Sequence, residues 1–207
     1  MSAPTRDAPV VGISGPAAST ELGLRSSTSR PLGRGDFSVI PRPRGRDLSC
    51  VELRAFVAEL ADRPELWIDL VTHDSDQRHY MELFSDADLT VWLICWMDDH
   101  DTGFHDHDVS AGAVAVVGGR VREERLTLDG PPRDRVFAAG DVFHFSAADI
   151  HRVRHAGSHP AITLHAYSPP LLGMGAYFLN DDGVLARRPM SPAEELRQLP
   201  IRSIGRA

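Results

Sequence analysis

The sequence predicts a mainly β domain, a sandwich or small jelly-roll-like barrel, entered through one or two N-terminal helices. Three observations predict it. From about Arg78 onward, short runs rich in Val, Ile, Phe, Tyr, Trp and Thr alternate with turn residues. Asn180-Asp181-Asp182-Gly183 sits between two such runs and reads as a hairpin turn. Helical spacing of apolar residues is confined to the stretch before Arg78.

Taken in order, residues 1–46 are rich in Ser, Pro, Gly, Ala and Arg without a period, and read as a disordered tail. They hold seven arginines against Asp7, Glu21 and Asp36, a net +4. In a chain of formal charge −7, that leaves −11 for the rest. The expected domain spans 47–190. Ser49-Cys50-Val51-Glu52 has the capping-box pattern, and Leu53, Phe56, Val57 and Leu60 then recur at helical spacing. Pro64 ends this helix and starts an expected second one through Trp67, Leu70 and Val71. Strands are expected at 78–84, 89–97, 111–117, 120–128, 134–138, 141–146, 151–155, 161–167, 175–180 and 183–188. Residues 191–207 read as a short helix capped by Ser191, then a tail.

Composition excludes several classes. An acidic body argues against binding a phosphate backbone, so no nucleic-acid partner is expected. No stretch reaches the roughly 18 apolar residues of a membrane span. The N-terminus lacks the apolar core of a secretory signal, and two cysteines, Cys50 and Cys95, form no disulfide framework. A cytoplasmic location is therefore expected. Nothing in the sequence fixes an oligomeric state.

The chemistry lies among the ten histidines. Residues i and i+2 of a strand face the same way, so His105 and His107 offer two imidazoles to one metal ion. His151 is the candidate third ligand. His144, between Phe143 and Phe145, is expected at the core or rim. His73, His79, His100, His155 and His159 fall in loops or at strand ends, where exposure is expected. Thr163, His165 and Tyr167 occupy one face of a strand, where hydroxyl, imidazole and phenol can form a hydrogen-bonded row.

These segments resemble the two motifs of the cupin superfamily, G-x5-H-x-H-x3-4-E-x6-G and G-x5-P-x-G-x2-H-x3-N. His105, His107, Gly119, Gly140 and His151 match in register. The resemblance implies a double-stranded β-helix. Gly112 stands where many cupins place a metal-binding Glu, leaving three imidazoles and more open positions on the metal. Ser146, Ala148 and His155 replace the Pro, Gly and Asn of the second motif.

A narrower likeness rests on Cys95-Trp96, His105-Asp106-His107, His151-Arg152-Val153 and the closing T-x-H-x-Y-S-P-P string at Thr163–Pro170. Together they resemble the cysteine dioxygenase, or thiol dioxygenase, family. That resemblance implies Fe(II) held by His105, His107 and His151. It also implies a catalytic Tyr167 supported by His165 and Thr163, a cis Ser168-Pro169 bond, and a small thiol and O₂ as substrates. Animal-type members carry a cysteine crosslinked to the active-site tyrosine; Gly112 stands there, so no thioether forms. The family's carboxylate-binding arginine follows a tyrosine by two residues, but Tyr80 is followed by Glu82. Arg78, two residues before Tyr80, is the candidate clamp, with a solvated strand-end arginine as the alternative. Glu82 disfavours a carboxylate or favours an amine. The expected activity is oxidation of cysteine or a related thiol to its sulfinate. The alternatives are a metal-dependent cupin oxygenase or isomerase acting on a non-thiol substrate, and a non-catalytic ligand-binding cupin.

Overall fold

The computed structural model describes residues 36–195. The tail expectations for 1–35 and 196–207 fall outside the described residues. Residues 36–46, assigned to the tail by composition, belong to the folded body. Phe37 and Ile40 are buried against the helix, and Arg42 pairs with Asp86. A few large apolar residues were enough to anchor an otherwise polar, Pro-rich stretch.

Helix α1 spans Cys50–Ala61. The Ser49 hydroxyl accepts from the Glu52 N–H while the Glu52 carboxylate accepts from the Ser49 N–H, the reciprocal cap the sequence predicts. Leu53, Phe56, Val57 and Leu60 form its buried stripe. The expected second helix is instead two single 3-10 turns, Pro64–Leu66 and Ile68–Leu70. Trp67 breaks the run: its indole N–H donates to the Leu60 carbonyl at 3.0 Å and draws the chain back over the end of α1.

Eleven strands follow: β1 His79–Ser85, β2 Thr90–Trp96, β3 His105–Asp106, β4 Ala111–Gly118, β5 Arg120–Arg125, β6 Arg133–Ala138, β7 Val142–Phe145, β8 His151–His155, β9 Ala161–Ser168, β10 Met174–Leu179 and β11 Leu185–Met190. A short α2, Pro192–Glu195, is capped by Ser191. One antiparallel sheet runs β1-β2-β9-β4-β7 and the other β11-β10-β3-β8-β5-β6. This is the double-stranded β-helix expected of a cupin. The two-residue β3 was not foreseen as a strand.

The five-stranded sheet is covered on both faces, which is why β2, β4 and β9 read as near-continuous apolar runs. Its outer face, with Leu93, Ala113, Ala115, Leu164 and Ala166, packs against α1. The alanines let the helix approach closely. Its inner face, with Ile94, Trp96, Val114, Val116 and Tyr167, meets Val121, Phe137 and Val153 of the six-stranded sheet. Between β4 and β5, Gly119 adopts a φ of 64°, and a Cβ there would lie 2.3 Å from the Pro160 carbonyl oxygen.

Gly112 is a packing requirement. It pairs with Phe145 on one side and Tyr167 on the other, and a Cβ there would fall 2.2 Å from the Phe145 ring. The ring of Phe145 therefore fills the space a side chain at 112 would occupy. Gly112→Ala is expected to destabilise the protein by about 1–3 kcal/mol through overpacking. Adding Phe145→Leu should recover part of that loss in chemical denaturation. Purely additive costs would contradict the contact.

Candidate metal centre and hydrogen-bonded row

His105 and His151 lie directly opposite each other on β3 and β8. His107 sits just past the end of β3, in a turn closed by the Ser110 N–H donating to its carbonyl at 2.9 Å. All three are buried between the sheets, and one nitrogen from each lies within 4.8 Å of the other two. The expectation that these residues converge is met, although β3 carries only His105 of the three and stops before the i, i+2 position.

Second bonds fix the tautomers of two rings. The Nδ1 of His105 lies 3.0 Å from the Gly103 carbonyl, which can only accept. The Nδ1 of His151 lies 2.8 Å from the Glu123 carboxylate. Both Nδ1 atoms therefore carry the proton, and both Nε2 atoms present lone pairs. The Nε2 of His151 is buried with no hydrogen-bond partner. An orphaned buried lone pair beside two other imidazoles is what a metal ion satisfies. Burial, then the neighbouring His105, hold His107 and His151 well below the ordinary imidazole range, so both are neutral, the form that binds metal.

Opposite them, on β9, Thr163, His165 and Tyr167 form the row that alternation predicts. The Thr163 hydroxyl lies 2.8 Å from His165 Nε2, and His165 Nδ1 lies 3.1 Å from the Tyr167 hydroxyl. The Trp96 indole N–H donates to Thr163 Oγ1 at 2.8 Å. Since an indole only donates, the Thr163 proton goes either to His165 or to the Ile94 carbonyl at 3.4 Å, and the shorter path is to His165. His165 then donates to the Tyr167 oxygen. Burial, then the neighbouring His105 and the Arg78 guanidinium, hold the His165 imidazole down to about 3, so it stays neutral. Sequence reasoning missed this donor role of Trp96.

The space between the row and the three histidines is a cavity of about 10 Å³, room for an ion or a single water. Ile94, Thr102 and Val153 wall it, and Phe145 closes it, stacked on His107 with ring centroids 4.3 Å apart.

Residues 44–178 match the family model for cysteine dioxygenase type I. The chain belongs to the cysteine dioxygenase type I family. It is 22% identical over 138 residues to cysteine dioxygenase type 1 of Bos taurus, covering 61% of this chain and 68% of that protein. It is 23% identical over 131 residues to the Danio rerio protein of the same name, covering 58% and 65%. Among solved structures, a protein with a double-stranded β-helix domain from Klebsiella pneumoniae aligns with TM-score 0.46 at 16% identity, over 52% of this chain and 84% of that one. A cupin superfamily protein from Desulfitobacterium hafniense aligns with TM-score 0.40 at 18% identity, over 49% and 86%.

In this cysteine dioxygenase family member, Arg78 is buried at the head of β1, with its guanidinium 5.3 Å from the Trp96 ring centroid. A solvated strand-end arginine is thus excluded. Tyr80 is half-buried beside Trp92 and shares the inner face with Ile94, its cross-strand partner. Neither Arg78 nor Tyr80 lines the small cavity itself. The Ser168-Pro169 bond is cis, as the resemblance implied. Among the described residues, no helix is long and apolar enough to cross a membrane.

Several single residues sit or act differently from expectation. His100 is buried, not exposed, with its Nδ1 accepting from the Met97 N–H at 3.0 Å. His144 is exposed, because β7 turns Phe143 and Phe145 inward and His144 out. Glu123, which orients His151, was overlooked; its place at i+2 from the buried Val121 was the available signal. Asp106 is turned to the neighbouring strands, where it has a structural role. Arg187 donates to it at 2.6 and 2.8 Å and the Tyr177 hydroxyl at 2.7 Å, tying the two-residue β3 to β10 and β11. Burial raises the Asp106 carboxyl, yet these donors outweigh it and hold it far below the usual carboxylate range.

The buried imidazoles make stability pH-dependent. His107, His151 and His165 take up protons less readily folded than unfolded, so stability is full above the unfolded value near 6.5 and is lost as pH falls below it. Each contributes a slope of about 1.4 kcal/mol per pH unit in that window. The thermal midpoint of the metal-free protein is expected to fall steeply from about pH 7 to about pH 5. A flat profile would mean the imidazoles are charged or solvated.

Proposed function

We propose that the protein is an Fe(II)-dependent thiol dioxygenase that converts cysteine or a related small thiol to its sulfinate, RS⁻ + O₂ → RSO₂⁻. The observation that carries this reading is the buried, unpartnered Nε2 of His151 beside His105 and His107, across a small cavity from Tyr167. Family membership and the cysteine dioxygenase relatives support it.

His105, His107 and His151 would hold the iron through neutral imidazoles. Fe(II) supplies open positions for thiolate and O₂ and the redox chemistry that joins them. Gly112 brings no carboxylate to the set, which leaves those positions open. Tyr167 donates its hydroxyl proton toward the reacting atoms. His165 holds that proton outward by donating to the phenol oxygen, and Thr163 fixes the His165 tautomer. Arg78 anchors the substrate carboxylate, with Tyr80 flanking it, because a guanidinium fits a carboxylate with two hydrogen bonds. Phe145 excludes bulk water and limits the size of the thiol that reaches the centre.

The test is sulfinate formation by the iron-loaded protein over cysteine, 3-mercaptopropionate and cysteamine, read by mass spectrometry. Turnover of at least one thiol is expected, with none in His105→Ala. Tyr167→Phe and Trp96→Phe should lower kcat, by about 10²-fold and several-fold respectively, with little change in KM. Iron retention without turnover of any thiol would overturn the reading.

A further inference from the structure

Three arginines occupy positions that strand alternation assigns to the interior. On β6, Arg133 and Arg135 precede the buried Phe137 at intervals of two, and on β5, Arg125 follows Val121 and Glu123 in the same way. Pairing sets Arg125 opposite Arg133 and Glu123 opposite Arg135. Such positions in a closed sandwich are apolar. Here the five-stranded sheet ends at β7 and the six-stranded sheet at β6, so the inner face of β5 and β6 runs out into an open cleft. The cleft has a volume of about 330 Å³, the scale of a small-molecule site. Arg54 of α1 and His144 of β7 complete its rim, and Phe143 and Phe137, stacked 4.3 Å apart, form its floor.

The charge in this cleft is unbalanced. Arg125 is already engaged, by Glu123 at 2.7 Å, Asp149 at 3.1 Å and the His144 carbonyl at 2.8 Å. Among the described residues, Arg54, Arg133 and Arg135 have no acidic partner. The Arg135 guanidinium instead lies over the Phe137 ring at 4.9 Å. Like charges facing each other across a strand pair are destabilising, and here they gather in a chain of formal charge −7. An anion removes that repulsion.

We propose that this cleft binds a small phosphate-bearing anion. Three uncommitted guanidiniums match the several oxygens and double charge of a phosphate better than the two oxygens of a single carboxylate. The cleft shares no lining residue with the three-histidine cavity. Its one link to that cavity runs from Arg125 through Glu123 to His151. The binding claim does not depend on the thiol dioxygenase reading.

Calorimetric titration of the full chain with inorganic phosphate, and in parallel with glycerol phosphate, at constant ionic strength tests it. Saturable 1:1 binding is expected, weakened at least about ten-fold by R133Q/R135Q. The thermal midpoint of that variant should stay near wild type, since both side chains are exposed. Arg44→Gln, an exposed arginine outside the cleft, should bind like wild type. Tighter binding of the ester identifies a phosphorylated metabolite as the ligand; equal binding identifies free phosphate. Absence of saturation, binding that survives R133Q/R135Q, or equal weakening by Arg44→Gln overturns the proposal.

Discussion

Three imidazoles can share one small buried space and offer lone pairs to one metal only if they are neutral. The rest of the structure follows from that constraint. Removing a charged imidazole from water is costly, and three together would repel one another. Burial holds His107 and His151 in the neutral form. For two of the three the fold spends the second nitrogen on an acceptor, the Gly103 carbonyl for His105 and the Glu123 carboxylate for His151. β3, which carries the first of them, is only two residues long and cannot hold itself in place. Asp106 does so from the opposite face, through Arg187 and Tyr177 of the neighbouring strands.

The same logic governs the facing sheet. Trp96, Thr163, His165 and Tyr167 form a polar line through an apolar core, and such a line is tolerable when every member is satisfied. Its direction is set at one end by a group that can only donate. The consequence is a phenol held by His165 on the wall of the space it shares with the three imidazoles. Phe145 completes the enclosure and makes Gly112 obligatory, so the missing glutamate, the missing crosslink and the closed cavity have one steric origin.

Much of this was legible in the residues. The strands were visible because the five-stranded sheet is apolar on both faces and the six-stranded sheet alternates. His105, His107 and His151 stood out through spacing and framing glycines, and Thr163, His165 and Tyr167 through period two. What escaped notice depended on tertiary pairing. Glu123 sits in the charged run Arg122-Glu123-Glu124-Arg125, and only its register with His151 distinguishes it. The donor role of Trp96 gave no sign, because its polar atom matters only once Thr163 lies beside it. His100 looked exposed in a polar loop until that loop folded against β8. Trp67 ended a helical pattern that composition alone would have continued.

The proposed centre is three imidazoles, without a carboxylate, holding an iron that takes a thiolate. X-ray absorption of the Fe(II)-loaded protein under anaerobic conditions, before and after adding cysteine, tests it most directly. The account predicts a first shell of light atoms with imidazole scattering before addition and a new sulfur scatterer afterwards. An iron shell lacking imidazole scattering, or one that gains no sulfur with any of the small thiols, would contradict it.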